Sequence, residues 1–278
     1  MSKTNGDSKQ SAIRQHNFEA VPRNLSKIIS GINLDKRPQP FQELFPLPHS
    51  KAASEVYEYA KAELTTPVLN HSLRVYQYGM FIASDFFPDW NLNSETWLLA
   101  CLLHDIGASP ANRSTSLLSF EFKGGLIAHE KTQSWGCPTE QSDGVTEAII
   151  RHQDIDSTSN GNITRLGALL QLATLYDNSG QFDQLIHQST LDGVTQEHPR
   201  LKWSSCFSDV IEYECDTKPW CHTTKIGKEQ FLSLINGDLA VTQKSSSCNN
   251  LSSANIVDNV TSDQSECPAD GELSDKSN

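Results

Sequence analysis

From Ser50 onward, apolar residues recur at helical spacing and strict alternation is almost absent, so the core is expected to be all-α. Ser50 is placed to cap a helix running through Ala52, Val56, Tyr59 and Ala60 to Leu64. A second helix has Thr66 as its N-cap and Pro67 as its first helical residue, and stops near Pro88. It carries an apolar edge through Leu69, Leu73, Tyr76, Met80, Ala83 and Phe87, and another through Val68, His71, Val75, Tyr78 and Ile82. A helix apolar on both edges belongs inside a bundle. Asn93 or Ser94 caps a third helix, apolar from Trp97 to Leu103, and Gly107 stands where a C-cap is expected. Phe120, Gly124, Ile127 and Ala128 predict a helix holding Gly124-Gly125. Each glycine costs a helix about 1 kcal/mol against alanine, so the pair marks a closely packed neighbour or open backbone near a site. Thr139 starts a helix with Val145, Ala148, Ile149 and His152 on its apolar face. Leu166, Leu169, Leu170, Ala173 and Asp177 share one face of another, which Gly180 ends. Shorter helices are expected around Leu191–Glu197 and Trp203–Tyr213, with a last turn at Phe231–Leu234.

The flanks lack this period. Met1 to about Ala20 is polar and aperiodic and reads as a disordered tail. Pro38, Pro40, Pro46 and Pro48 interrupt the stretch from Val21 to Pro48, which reads as an irregular arm. Ala108–Ser116 and Asp154–Asn162 read as loops. From Ala240, Ser, Asn and Asp dominate and aromatics vanish, so a disordered polar tail is expected over 240–278, leaving 21–239 as the folded domain.

Composition narrows the class. A length of 278 residues suits one large domain or two small ones. A net charge of −12 argues against bulk electrostatic binding to nucleic acid or an anionic membrane. The first residues have no apolar signal segment, and no apolar run is long enough to span a bilayer. The seven cysteines are odd in number and irregularly spaced, and Cys215 and Cys221 lack zinc-ribbon spacing. These features predict a cytoplasmic protein with reduced thiols, working on a small molecule rather than on nucleic acid or membrane. Nothing fixes an oligomeric state, and a homo-oligomer stays open.

The candidate chemistry lies where polar residues interrupt apolar helices. Trp97, Cys101 and His104 share a helical face, and Asp105 follows about 100° around the axis, so one cation could touch both His104 and Asp105. Buried charge is costly unless it is paired or bound to metal. A single buried histidine such as His71 is ordinarily a satisfied core residue. Here His71, His104, Asp105 and Asp177 occupy matching contexts, and that set suits zinc, manganese or iron. Cys101 reads as a small packing residue.

The order His, His-Asp, Asp resembles the HD-domain superfamily of metal-dependent hydrolases. Longer segments resemble one group within it. These are Thr66-Pro67-Val68-Leu69-Asn70-His71-Ser72-Leu73-Arg74-Val75, Cys101 to Ile106, Val145-Thr146-Glu147-Ala148-Ile149-Ile150-Arg151-His152-Gln153-Asp154 and Lys218-Pro219-Trp220. They look like the cyanamide hydratases, which add water to cyanamide to give urea, over roughly Pro22 to Gly227. The resemblance implies an HD-domain helical bundle. It also implies a divalent metal, zinc foremost, on His71, His104, Asp105 and Asp177, with His152 as proton donor. Asn178, Thr174 and Trp220 become candidates for contacting substrate, with Asn70, His129 and His222 as weaker ones. Arg74 could meet a phosphate in an HD phosphohydrolase. However, Ile106 to Pro110 carries no carboxylate of the kind nucleotidase-type HD proteins use, and no Lys/Arg cluster adjoins the motif. A small neutral substrate is therefore expected. A phosphohydrolase and a non-catalytic HD-fold binding module remain as alternatives.

Overall fold

The computed structural model describes residues 3–32, 36–155 and 160–235. In chain order the elements are α1 (Lys3–Gln15), β1 (Ala20–Pro22), α2 (Leu25–Ser30), α3 (Lys51–Glu63), α4 (Thr66–Phe86), α5 (Ser94–Leu103), α6 (Pro110–Ser114) and α7 (Phe120–Ser134). They continue with α8 (Thr139–Arg151), β2 (Asn162–Thr164), α9 (Arg165–Ser179), α10 (Gln188–Glu197), α11 (Trp203–Thr217) and α12 (Lys228–Ile235). The fold is all-α apart from β1 and β2, which pair antiparallel with Val21 opposite Ile163. No helix among the described residues is long and apolar enough to cross a membrane.

Helix boundaries follow local chemistry. The Ser50 side chain accepts from the Ala53 N–H, Asn93 from Thr96 and Thr164 from Gly167, each satisfying an amide that has no partner inside its own helix. Gly180 ends α9 at φ 69°, the left-handed conformation that glycine adopts without a Cβ clash. Thr65, not Thr66, is the N-cap of α4, a shift of one residue. Between the motif and α7, the expected loop contains a short 3-10 turn at Ile106–Ala108 and the helix α6.

α4, α5 and α9 are buried on nearly every side, with α3 and α8 packed around them in one apolar cluster. Gly79 brings α4 against α5: a Cβ there would lie 2.0 Å from the Trp97 ring, whose indole N–H donates to the Tyr76 carbonyl at 3.0 Å. A second cluster, built from Phe120, Trp203, Phe207, Ile211, Cys221 and Phe231, lies under α7, α11 and α12. The irregular arm before α3 is ordered through polar residues of α4. Gln77 exchanges hydrogen bonds with the Phe45 backbone at 2.9 Å each way, and Tyr76 Oη donates to the Pro46 carbonyl at 3.0 Å.

Within the stretch expected as an N-terminal tail, local structure is present. Lys3–Gln15 is helical, and His16 and Asn17 are buried. His16 Nδ1 hydrogen-bonds with Thr96 Oγ1 at 3.0 Å, while Asn17 donates to the Trp90 carbonyl and accepts from the Asn93 N–H. The stretch is held by polar side chains, so apolar periodicity does not reveal it. The tail expected over 240–278 lies outside the described residues.

Candidate metal centre

Three buried helices deliver the site. His71 projects from α4, His104 and Asp105 follow the last residue of α5, and Asp177 sits in the last turn of α9. Gly107 does not cap α5; that place falls to His104. Gly107 instead presses the Ile106–Ala108 turn onto α7, where a Cβ would stand 2.0 Å from the Phe120 carbonyl oxygen and 2.6 Å from the Gly124 nitrogen. The double glycine of α7 thus serves close packing, Gly124 against this turn and Gly125 against Ile150.

The imidazoles are oriented alike. His104 Nδ1 donates to the Cys101 carbonyl at 2.7 Å, one of the carbonyls that a helix end leaves unpaired. His152 Nδ1 donates to the Ile149 carbonyl at 2.7 Å, and His71 Nδ1 to Asp177 Oδ2 at 2.6 Å. In the neutral ring with Nδ1 carrying the proton, each Nε2 is a lone pair. Those lone pairs converge on Asp105. His104 Nε2 and His71 Nε2 lie 3.1 and 3.7 Å from its Oδ2, and His152 Nε2 lies 3.9 Å from Oδ1. His71 Nε2 and His104 Nε2 are 3.1 Å apart. Both Asp105 oxygens are buried without a hydrogen-bond partner. Lone pairs facing one another and an orphaned carboxylate are repulsive unless a cation sits among them. The donor set therefore fits a divalent metal on His71, His104 and Asp105, whose ligand atoms lie within 4.8 Å of one another.

Asp177, expected as a fourth ligand, stands behind His71. Its Oδ1 accepts from Arg74 Nε at 2.8 Å and Arg200 Nη1 at 3.2 Å, and its Oδ2 from Arg74 Nη2 at 2.8 Å and His71 Nδ1 at 2.6 Å. A carboxylate has about four lone-pair sites, and all are filled. Asp177 thus stands where it fixes the tautomer and ring plane of His71. Arg74, fully buried in this pair, is not available to a phosphate.

Charge and burial pull the titrations apart. Burial pushes the Asp105 carboxyl up, but His104, His71 and His152 more than offset that and hold it at about 2. Burial lowers His71 to about 4 against the pull of Asp177. Burial lowers His104 as well, yet Asp105 at its side carries it above the usual imidazole value. His152 is lowered, by burial and then by His104. Burial opposes ionisation of Asp177, but His71 and Arg74 hold its carboxyl well below the usual range.

A chamber of about 20 Å³ adjoins the three metal-facing residues, and His152, Gln153, Thr174, Asn178, Phe207 and Phe231 help to line it. That is room for about one water. Thr174 donates to the Leu170 carbonyl at 2.8 Å, and Asn178 accepts from the Trp203 indole at 2.9 Å. Trp220 does not join them: it is 60% exposed, with its indole donating to the Leu117 carbonyl. Asn70 donates to the Pro199 carbonyl, and His129 pairs with Asp143 on the surface. His222 lies between Glu121, at 2.7 Å, and Asp154, at 3.3 Å, on the next 3-10 turn after Trp220. Sequence reasoning missed Arg200, Trp203, Gln153, Phe207 and Phe231 as site residues. Trp203 carried one usable signal, a large aromatic opening a helix directly after Arg200-Leu201-Lys202.

Two comparisons bear on this arrangement. The family model of the HD domain matches residues 68–178, which spans His71, His104, Asp105, His152 and Asp177. The chain is 44% identical over 216 residues to the proteins named cyanamide hydratase DDI2 and cyanamide hydratase DDI3 of Saccharomyces cerevisiae, covering 77% of this chain and 93% of each relative.

Proposed function

The chain belongs to the cyanamide hydratases, an enzyme family of the HD superfamily, and from that premise we propose that it adds water to cyanamide to give urea. The observation that carries this reading is the buried, unpartnered carboxylate of Asp105 ringed by imidazole Nε2 atoms. His71, His104 and Asp105 would hold a divalent cation, and zinc is the ion we assign to this nitrogen and oxygen set. When bound, such an ion supplies Lewis acidity and brings the pKa of a water towards neutrality.

The chain's own residues do the rest. The chamber has room for about one water beside the Nε2 and carboxylate atoms, and Asp105 also lines a wider cleft of about 290 Å³. The water oxygen bonds to the nitrile carbon, one C–N π bond opens, and the negative charge moves to the nitrile nitrogen. His152 is neutral at Nε2, since burial lowers its pKa and the Ile149 carbonyl holds the proton on Nδ1. It can accept a proton from the attacking water and return one to the nitrile nitrogen. The isourea so formed moves its remaining hydroxyl proton to nitrogen and becomes urea. Asn178 and Thr174 are the polar groups we assign to the substrate. None of the residues lining this chamber is Lys or Arg, and Arg113 is the single one lining the wider cleft, so no basic cluster faces a phosphate ester.

The test is urea formation from cyanamide by the purified chain, stripped of metal and then reloaded with zinc, beside a folded His104→Ala variant. Urea from the reloaded wild type and none from the variant supports the reading. A folded, zinc-loaded wild type that forms no urea removes it.

A further inference from the structure

Trp203 touches both parts of the site. Its side chain is fully buried at the start of α11. Its ring lies parallel to His71, with centroids 3.9 Å apart and 9° between planes, and it also stacks on Phe207 at 4.8 Å. Its indole N–H donates to Asn178 Oδ1 at 2.9 Å. An indole nitrogen only donates, so Asn178 must present its oxygen to Trp203. The Asn178 NH₂ is then left as the donor group of a side chain that lines the chamber.

The backbone leading to Trp203 is built for this placement. Leu201 and Lys202 both adopt the left-handed region, at φ 48° and 59°, which non-glycine residues enter at a cost. The turn is tied to Asp177, the residue behind His71, because Arg200 Nη1 donates to the Asp177 carbonyl at 2.8 Å and the Trp203 N–H donates to the Arg200 carbonyl at 2.8 Å.

We propose that Trp203 is a positioning residue with two separable tasks: its ring face holds the His71 imidazole in the plane that aims Nε2 at the metal, and its indole N–H turns the Asn178 amide so that NH₂ faces the substrate. The first task concerns metal affinity. The second rests on the hydratase reading and concerns substrate affinity. The nitrile nitrogen of cyanamide carries a lone pair, so a fixed N–H donor facing it holds the substrate before any charge develops.

The experiment uses the full chain with Trp203→Phe, which keeps a ring face and loses the N–H, and Trp203→Leu, which loses both. Zinc affinity is read by competition with a chromophoric chelator, and kcat and KM from urea formation. Trp203→Phe is expected to keep zinc affinity within about threefold of wild type while raising KM for cyanamide tenfold or more. On an Asn178→Ala background the same substitution should change KM no further. Trp203→Leu should also weaken zinc binding by about 10–100-fold, the range for residues that orient a metal ligand. The proposal is overturned if Trp203→Phe leaves KM unchanged, if its KM effect adds fully to that of Asn178→Ala, or if Trp203→Phe weakens zinc binding as much as a ligand deletion. Should Trp203→Leu not fold, the Trp203→Phe comparison still decides. If wild type binds zinc but forms no urea, the hydratase reading fails. The ring-face task is then judged by zinc affinity alone, and fails if Trp203→Leu binds zinc like wild type.

Discussion

Arg74→Met is the sharpest test of how the centre is braced. The guanidinium is 0% exposed and makes two parallel bonds to Asp177, both 2.8 Å, while Nη1 reaches the His198 and Pro199 carbonyls at 3.1 and 3.2 Å. Methionine fills most of the stem's volume, so the loss is chiefly one of charge and hydrogen bonds. Breaking a buried pair from one side strands the other charge, at a cost of about 3–5 kcal/mol. Arg200 and His71 still face Asp177, so the lower half of that range is expected. Removing both partners in Arg74→Met/Asp177→Leu should cost about 1–3 kcal/mol less than the sum of the single losses, because neither leaves a stranded charge for the other. The assay is guanidinium unfolding of the full chain in excess chelator, so that metal binding does not add its own linkage. The pH sign gives a second check. The Asp177 carboxyl is depressed in the folded state, so its contribution is present above the ordinary carboxylate pKa and is lost as pH falls through the folded value. Arg74→Met should therefore flatten the acid limb of the stability curve. A loss below about 1 kcal/mol, or full additivity in the double variant, would refute the bracing argument.

Two further perturbations probe the surroundings. His222, raised to about 9 chiefly by Asp154 and then Glu121 against the effect of burial, contributes stability that is complete below the unfolded value of 6.5 and lost as pH rises through about 9; the difference in unfolding free energy between pH 6 and pH 10 should shrink by about 1–3 kcal/mol in His222→Asn, and an unchanged difference would contradict the assignment. Gly107→Ala must push the α7 backbone away and should cost about 1–3 kcal/mol and weaken zinc binding, whereas Gly125→Ala meets first the flexible Ile150 side chain and should cost less; equal losses in thermal unfolding would show that the approach at Gly107 is not tight.

Much of the fold was legible because burial leaves a period. The two apolar edges of α4 foretold its central place, and the side chains of Ser50 and Asn93 marked helix starts through the amides they satisfy. Gly107 and Gly180 look alike in sequence, each a glycine after an apolar run. One is a left-handed cap and the other a point of backbone contact, and only the neighbouring helix distinguishes them. The segment from Lys3 to Asn17 was illegible for a related reason. Its anchors are polar, and their partners Trp90, Asn93 and Thr96 lie far along the chain.

The candidate site divides along the same line. His71, His104 and Asp105 stood out because an ionisable group in an apolar helix must be compensated, and that cost is written into the local pattern. Their compensation is not local. The sequence order His, His-Asp, Asp suggested equal ligands, yet it says nothing about which donors fill the lone pairs of each carboxylate. Asp177 meets Arg74, Arg200 and His71, while Asp105 meets no hydrogen-bond donor. The two carboxylates are thus one residue type at comparable burial in opposite hydrogen-bonding states, one saturated and one unpartnered. On the reading proposed above, that difference puts the cation at Asp105 and the bracing at Asp177, and it arises from an arginine one turn along α4 and a turn at Arg200 that no periodicity marks.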